Sequence, residues 1–146
     1  MNAPANTPRG SGTRGEPIRR ALEARFVGVL DNRNDGRGLS LIKAHTRVVR
    51  RYDIHELILT DEQSAAPGGT VGGVHYIGFV EFEAGGGILA EGDSVNIGGK
   101  AIGTIAGFDE SHCPNHYNVL IKGPSRITGV ELQQQPGDLV IFLPPA

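Results

Sequence analysis

The sequence predicts an all-β fold, a small β-barrel of about eight or nine short strands, and three observations predict it. Glycine fills 22 of the 146 positions and tryptophan is absent, a composition better suited to short strands and tight turns than to a helical bundle. Several segments place apolar residues at every second position, the period at which strand side chains share a face. Turn residues punctuate the chain at roughly eight- to twelve-residue intervals, the spacing of sandwiches and barrels. A chain of 15.5 kDa is long enough to bury one core without disulfides. It is expected to hold a flexible tail over residues 1–17 and a single domain over 18–146.

The opening "MNAPANTPRGSGTRGEP" has no periodic apolar face to repay the entropy of ordering, which is why it is assigned as tail. In "ALEARFVGVL" the residues Leu22, Ala24, Phe26 and Gly28 alternate with Glu23, Arg25 and Val27, which predicts a strand over the rival short helix. "DNRNDGRG", residues 31–38, reads as a hairpin turn, because Asn34, Asp35 and Gly36 tolerate positive φ. Its partial likeness to a calcium loop fails at Arg33 and at Ile42, where a bidentate Glu is required. Residues 39–60 mix β-branched residues with charge, and one or two strands are expected there. "DEQSAAPGGTVGG", residues 61–73, is a long loop by composition. "VHYIGFVEF" reads as a strand, "EAGGG" as a turn, and "ILAEGDSVNIGG" as a strand pair pivoting on Gly92-Asp93, continued by "KAIGTIAGF". "YNVLIKG", "RITGVEL" and "LVIFLP" complete the expected strands. "ILAEGDSVNI" and "LQQQPGDLVIF" echo one another, each placing Gly-Asp before alternating apolar residues, the pattern of a structural corner with Asp accepting from backbone amides.

The formal net charge is −2, but residues 1–51 carry eleven basic groups against four acidic, whereas 52–146 carry three against twelve. The basic residues are scattered with little aromatic interleaving, which argues for pairing within one fold and against nucleic acid. No apolar run approaches the roughly 18 residues of a membrane span and no signal peptide is evident. Cys113 is the only cysteine, so no internal disulfide forms, and a cytoplasmic location is expected.

Chemistry concentrates in "FDESHCPNHYNVLIKG", residues 108–123. His112 and His116 carry the spacing of a metal-ligating pair, and a divalent transition metal is the cofactor this spacing suggests. Pro114 between them makes the run a loop, in which Asp109, Glu110 or Cys113 would complete a site. His75, His55 and Glu56 are the candidates for a distant ligand group. His75 with Glu81 or Glu83, pointing inward beside His112 and His116, would give an active site of the cupin type, although neither "EGDSVNI" nor "PGDLVIF" is followed by the nearby histidine that cupins use. Cys113 between two imidazoles offers a nucleophile, and Glu110 an acid or base. Asp109, Asn115, Asn118 and His75 are the candidate ligand-binding residues, while turn capping alone also explains the two asparagines. Neither a phosphate-binding loop nor a dinucleotide fingerprint is present.

The run "EGDSVNIGGKAIGTIAGFDESHCPNHYNVLIKG", about residues 91–123, resembles the C-terminal half of the glucitol/sorbitol-specific enzyme II A component of the bacterial sugar phosphotransferase system. The Gly-Asp turn, the Ile-Gly segment and the apolar strands closing on Gly carry the resemblance. It implies a small barrel and a place in carbohydrate or polyol metabolism. That family's phosphorylated histidine would fall near "GFVEFE", which contains none, and His75 lies five residues too early. A bacterial family sharing only the fold is the other reading. Three functions therefore stand open: a small-molecule-binding or accessory domain, a metal-dependent enzyme using His112 and His116, and a phosphohistidine carrier at His75 or His116. Exposed strand edges such as "LVIFLPPA" suggest a homo-oligomer.

Overall fold

A computed structural model of the chain describes residues 19–36 and 38–145. The described residues form twelve strands and no helix: β1 (Leu22–Val29), β2 (Arg33–Asn34), β3 (Leu39–Ser40), β4 (Thr46–Val49), β5 (Ile54–Thr60), β6 (Thr70–Val71), β7 (Val74–Phe82), β8 (Gly87–Ala90), β9 (Ser94–Ile97), β10 (Lys100–Asp109), β11 (Asn118–Lys122) and β12 (Leu139–Leu143). The all-β class is as expected, with more strands than the eight or nine anticipated. The tail over 1–17 and the domain start at Ile18 lie outside the described residues.

The main sheet runs β1-β12-β9-β10-β11-β5-β7, and β7 pairs back onto β1. The ladders of seven strands thus return to where they began. β11 and β5 pair in parallel, from Asn118↔Glu56 to Lys122↔Thr60, and the other ladders of the ring are antiparallel. Along β1, Leu22, Ala24 and Phe26 are buried while Glu23 and Arg25 are exposed, the period-two pattern that selects strand over helix.

Three local readings are corrected. "DNRNDGRG" does not turn a hairpin: one edge of β1 is taken by β12, and past Leu30 the chain continues along β7 as β2, with Arg33 opposite His75. "ILAEGDSVNIGG" is not one strand pair, because β8 leaves the main sheet to pair with β4. "RITGVEL" forms no strand. Thr128 and Glu131 cap each other there, with Glu131 Oε1 accepting from Thr128 N at 2.9 Å and Glu131 N donating to Thr128 Oγ1 at 3.1 Å, the reciprocal box that closes a helical turn. Residues 39–60 hold three strands where one or two were expected, and the 61–73 loop contains β6, paired with β3.

Alternation along the strands sorts apolar residues onto two faces. Phe26, Leu57, Leu59, Phe82, Phe108 and Phe142 join one large cluster, with Phe82 and Phe142 stacked at 5.4 Å. On the other face Leu41, Ile58, Val71, Val74 and Leu120 form a smaller cluster beneath the β3–β6 ribbon. The repeated Gly-Asp corner is one device used twice. Gly92 and Gly137 adopt φ of 91° and 94°, and Asp93 and Asp138 each accept from the amide three residues earlier, Ala90 and Gln135, at 2.9 Å. The halves of opposite charge pair with each other: Arg19 grips buried Asp93 with two bonds of 2.7 and 2.8 Å, Arg25 meets Glu83, Arg33 meets Glu131 and Arg126 meets Asp35. No helix among the described residues is long and apolar enough to cross a membrane.

Candidate functional site

Four strands place one polar row across the sheet. Register sets Asp109 opposite Asn118, Asn118 opposite Glu56, and Glu56 opposite Phe79. With adjacent strands about 4.8 Å apart, the backbones of Asp109 and Glu56 stand about 10 Å apart with Asn118 between them. The next row on this face is apolar, Leu120, Ile58 and Tyr76, and it belongs with the smaller cluster. The row thus marks where that buried layer gives way to a polar cleft.

Asp109 is fixed by two donors to its Oδ2, Asn118 Nδ2 at 2.7 Å and Ser111 Oγ at 2.5 Å. Asn118 Oδ1 is buried and finds no partner, an arrangement that costs free energy unless a ligand or water supplies a donor. Glu56 lies 3.2 Å from His116 Nε2, and both side chains are largely covered. Burial pushes the Glu56 carboxyl up to about 7, with Asp109 adding to the rise and His112 opposing it. Burial pulls the His116 imidazole below its ordinary value, against the contact with Asn118 and the charge of Asp109. Asn115 Oδ1 lies 3.1 Å from His116 Nδ1. A carbonyl oxygen only accepts, so Nδ1 carries the proton and Nε2 is left to accept from a protonated Glu56. Below about pH 7 the pair is therefore a hydrogen bond between neutral groups, because burial penalises both charges of an ion pair.

Two cavities of about 360 and 430 Å³ flank this row and share Asn34, Tyr76 and His112 as walls. The first is lined by Asp109, Ser111 and Asn118, the second by Glu56, Phe79 and Arg33. His112 stacks on His116 with ring centroids 5.1 Å apart, and Phe79 sets its ring against His116 at 5.0 Å and 83°.

The expected residues divide. Asp109, Asn118, His112, His116 and Asn115 come together, and of the distant candidates it is Glu56 that joins them. His75 does not: it lies opposite Leu59, four residues along β7 from Phe79, about 13 Å of strand. Its Nδ1 is buried without a partner. His55 points to the other face, where its Nδ1 accepts from Tyr117 N at 3.1 Å and its ring lies 6.1 Å from Phe82. Glu110 is exposed and lines neither cavity. Cys113 Sγ lies 3.5 Å from the backbone oxygen of His116, away from both cavities. Among the described residues no group of three or more His, Cys, Asp or Glu side chains is placed to hold a metal ion. Asn34, Tyr76 and Phe79 were not anticipated. Two aromatics on one strand was the available signal, and only the pairing of β7 with β5 shows which way they face.

No curated protein and no solved structure matches the chain. Residues 16–143 match the family described as "Family of unknown function (DUF6917)". The match spans most of the chain, and the protein belongs to this family.

Proposed function

We propose that the chain is a cytoplasmic β-barrel domain that binds a small, hydroxyl-rich molecule in the cleft over Asp109, Asn118 and Glu56. The observation that carries this is the in-register row of two carboxyl groups around an amide, open to cavities walled by Tyr76 and Phe79. Asp109 and the Glu56 carboxyl oxygen not engaged by His116 accept from hydroxyls, and an aromatic wall packs on the C–H face of a polyol. Such a wall with a few convergent polar groups is the usual make-up of a small-molecule site. The return of β7 onto β1 supports a closed barrel, whose interior the large cluster would fill. The resemblance of residues 91–123 to the glucitol/sorbitol-specific component supports a polyol as ligand, and a single cysteine fits a reducing compartment.

Titration calorimetry with D-glucitol and D-mannitol tests this. Saturable binding is expected, weakened by about tenfold, ~1.4 kcal/mol, in Asp109→Asn. No saturable binding of either polyol, or equal affinity in the variant, would overturn the reading.

A further inference from the structure

The loop that carries His112 and His116 also walls a third cavity, of about 450 Å³, reached by Arg47, Arg50, His55, Asn115 and Tyr117. Arg47 lies across the Tyr117 ring, its guanidinium carbon 3.1 Å from the ring centre. Its Nε is buried and has no hydrogen-bond partner. Among the described residues no carboxylate comes within ion-pair distance of it. Asp53, the one acid at this cavity, is engaged elsewhere: it accepts from Arg50 N at 2.7 Å and lies 3.6 Å from Arg50 Nε. His55 supplies no negative charge, and burial pulls its imidazole down to about 4, Arg47 adding to that fall and Asp53 opposing it.

A partly buried guanidinium without a counter-charge is costly, and proteins normally pair it. Here the aromatic face already holds the planar fork in place, so little side-chain entropy remains to be lost when an anion arrives. The five N–H groups of that fork match two oxygens of a carboxylate or phosphate. Asn115, whose Oδ1 is occupied by His116, adds an amide donor at the wall. We propose that this third cavity is a receptor for the oxyanion group, phosphate or carboxylate, of a small ligand, with Arg47 as its bidentate anchor. The site is separate from the Asp109–Glu56 cleft and does not depend on the ligand assigned there.

The test is an NMR titration of the full chain with inorganic phosphate and with acetate, against sodium chloride at equal ionic strength, reading the Arg47 Nε–H and Tyr117 amide signals. Both signals are expected to shift saturably with at least one oxyanion, and the stronger of the two identifies the group. Arg47→Gln is expected to weaken that binding by at least about tenfold, and Arg47→Lys, which keeps the charge but loses the fork, by less. Shifts no larger than those with chloride, or the same affinity in Arg47→Gln, would overturn the proposal. Should Arg47→Gln fail to fold, the wild-type Nε–H signal and Arg47→Lys decide: an unmoved signal, or unchanged affinity in Arg47→Lys, counts against it.

Discussion

Glu56 and His116 hold one proton between them, and linkage turns that into a pH dependence of stability. Glu56 binds its proton more tightly folded, at about 7 against an ordinary 4.5, so the stability it contributes is complete below 4.5 and lost as pH rises through 7. His55 runs the other way. Its value falls from 6.5 to about 4, so its contribution is present above 6.5 and lost as pH falls through 4. His116, also lowered, shares that direction. The opposing slopes offset one another near and below pH 6.5, where the unfolded imidazoles still take up protons, so the Glu56 contribution is read as the difference between the wild-type chain and Glu56→Gln. Chemical denaturation of both at a series of pH values is expected to show the stability of the wild-type chain relative to the variant falling by about 1 kcal/mol between roughly pH 6.5 and 8. A difference that does not change with pH would show that Glu56 does not hold that proton.

Individual elements show why local pattern succeeded in some places and not in others. β1 and β7 have one side chain in two buried against the large cluster over part of their length, and their periods are plain in "ALEARFVGVL" and "VHYIGFVEF". "RITGVEL" also mixes apolar Ile127, Val130 and Leu132 with polar residues, but its period slips at Gly129 and Thr128 and Glu131 stand three apart, the spacing of a capping box, and that local hydrogen-bond pattern wins. Thr128 also donates to Asp31 at 2.7 Å and so ties the turn to the segment after β1. Thr128→Ala is expected to cost about 1–2 kcal/mol in urea denaturation, within the range of lost helix caps. A change below a few tenths of a kcal/mol would mean that the turn is held by other contacts.

At the scale of the molecule, stability rests on how the ladders close. Phe142 on β12 stacks on Phe82 of β7, strands that both pair with β1 and that lie on its two sides. Gly78 lets β1 and β7 approach closely at that seam, because a Cβ there would collide with the Gly28 carbonyl oxygen. Phe142→Ala removes a fully buried ring and is expected to cost about 3–5 kcal/mol. Since both apolar clusters draw on β5, β7, β10 and β11, the loss should appear as a shift of one cooperative transition in calorimetry. Two separated transitions would show instead that the β3–β6 layer unfolds independently.

The sequence by itself determined the β class, most of the long strands, the paired Gly-Asp corners and the loop that holds His112 and His116. Each of these depends on residues close together in the chain: a two-residue period, a glycine with positive φ, a proline between histidines. Only the tertiary structure decided which distant residues meet that loop. Glu56, Tyr76 and Phe79 reach it through a parallel ladder and an antiparallel one, and His75, on the same strand as Tyr76 and Phe79, does not. Strand partners and register are set by burial and hydrogen bonding across the whole sheet, and they leave no periodic trace in any one strand. For the same reason His116, spaced from His112 like a metal ligand, meets a carboxyl group sixty residues away, Glu56, while His112 stacks on the His116 ring.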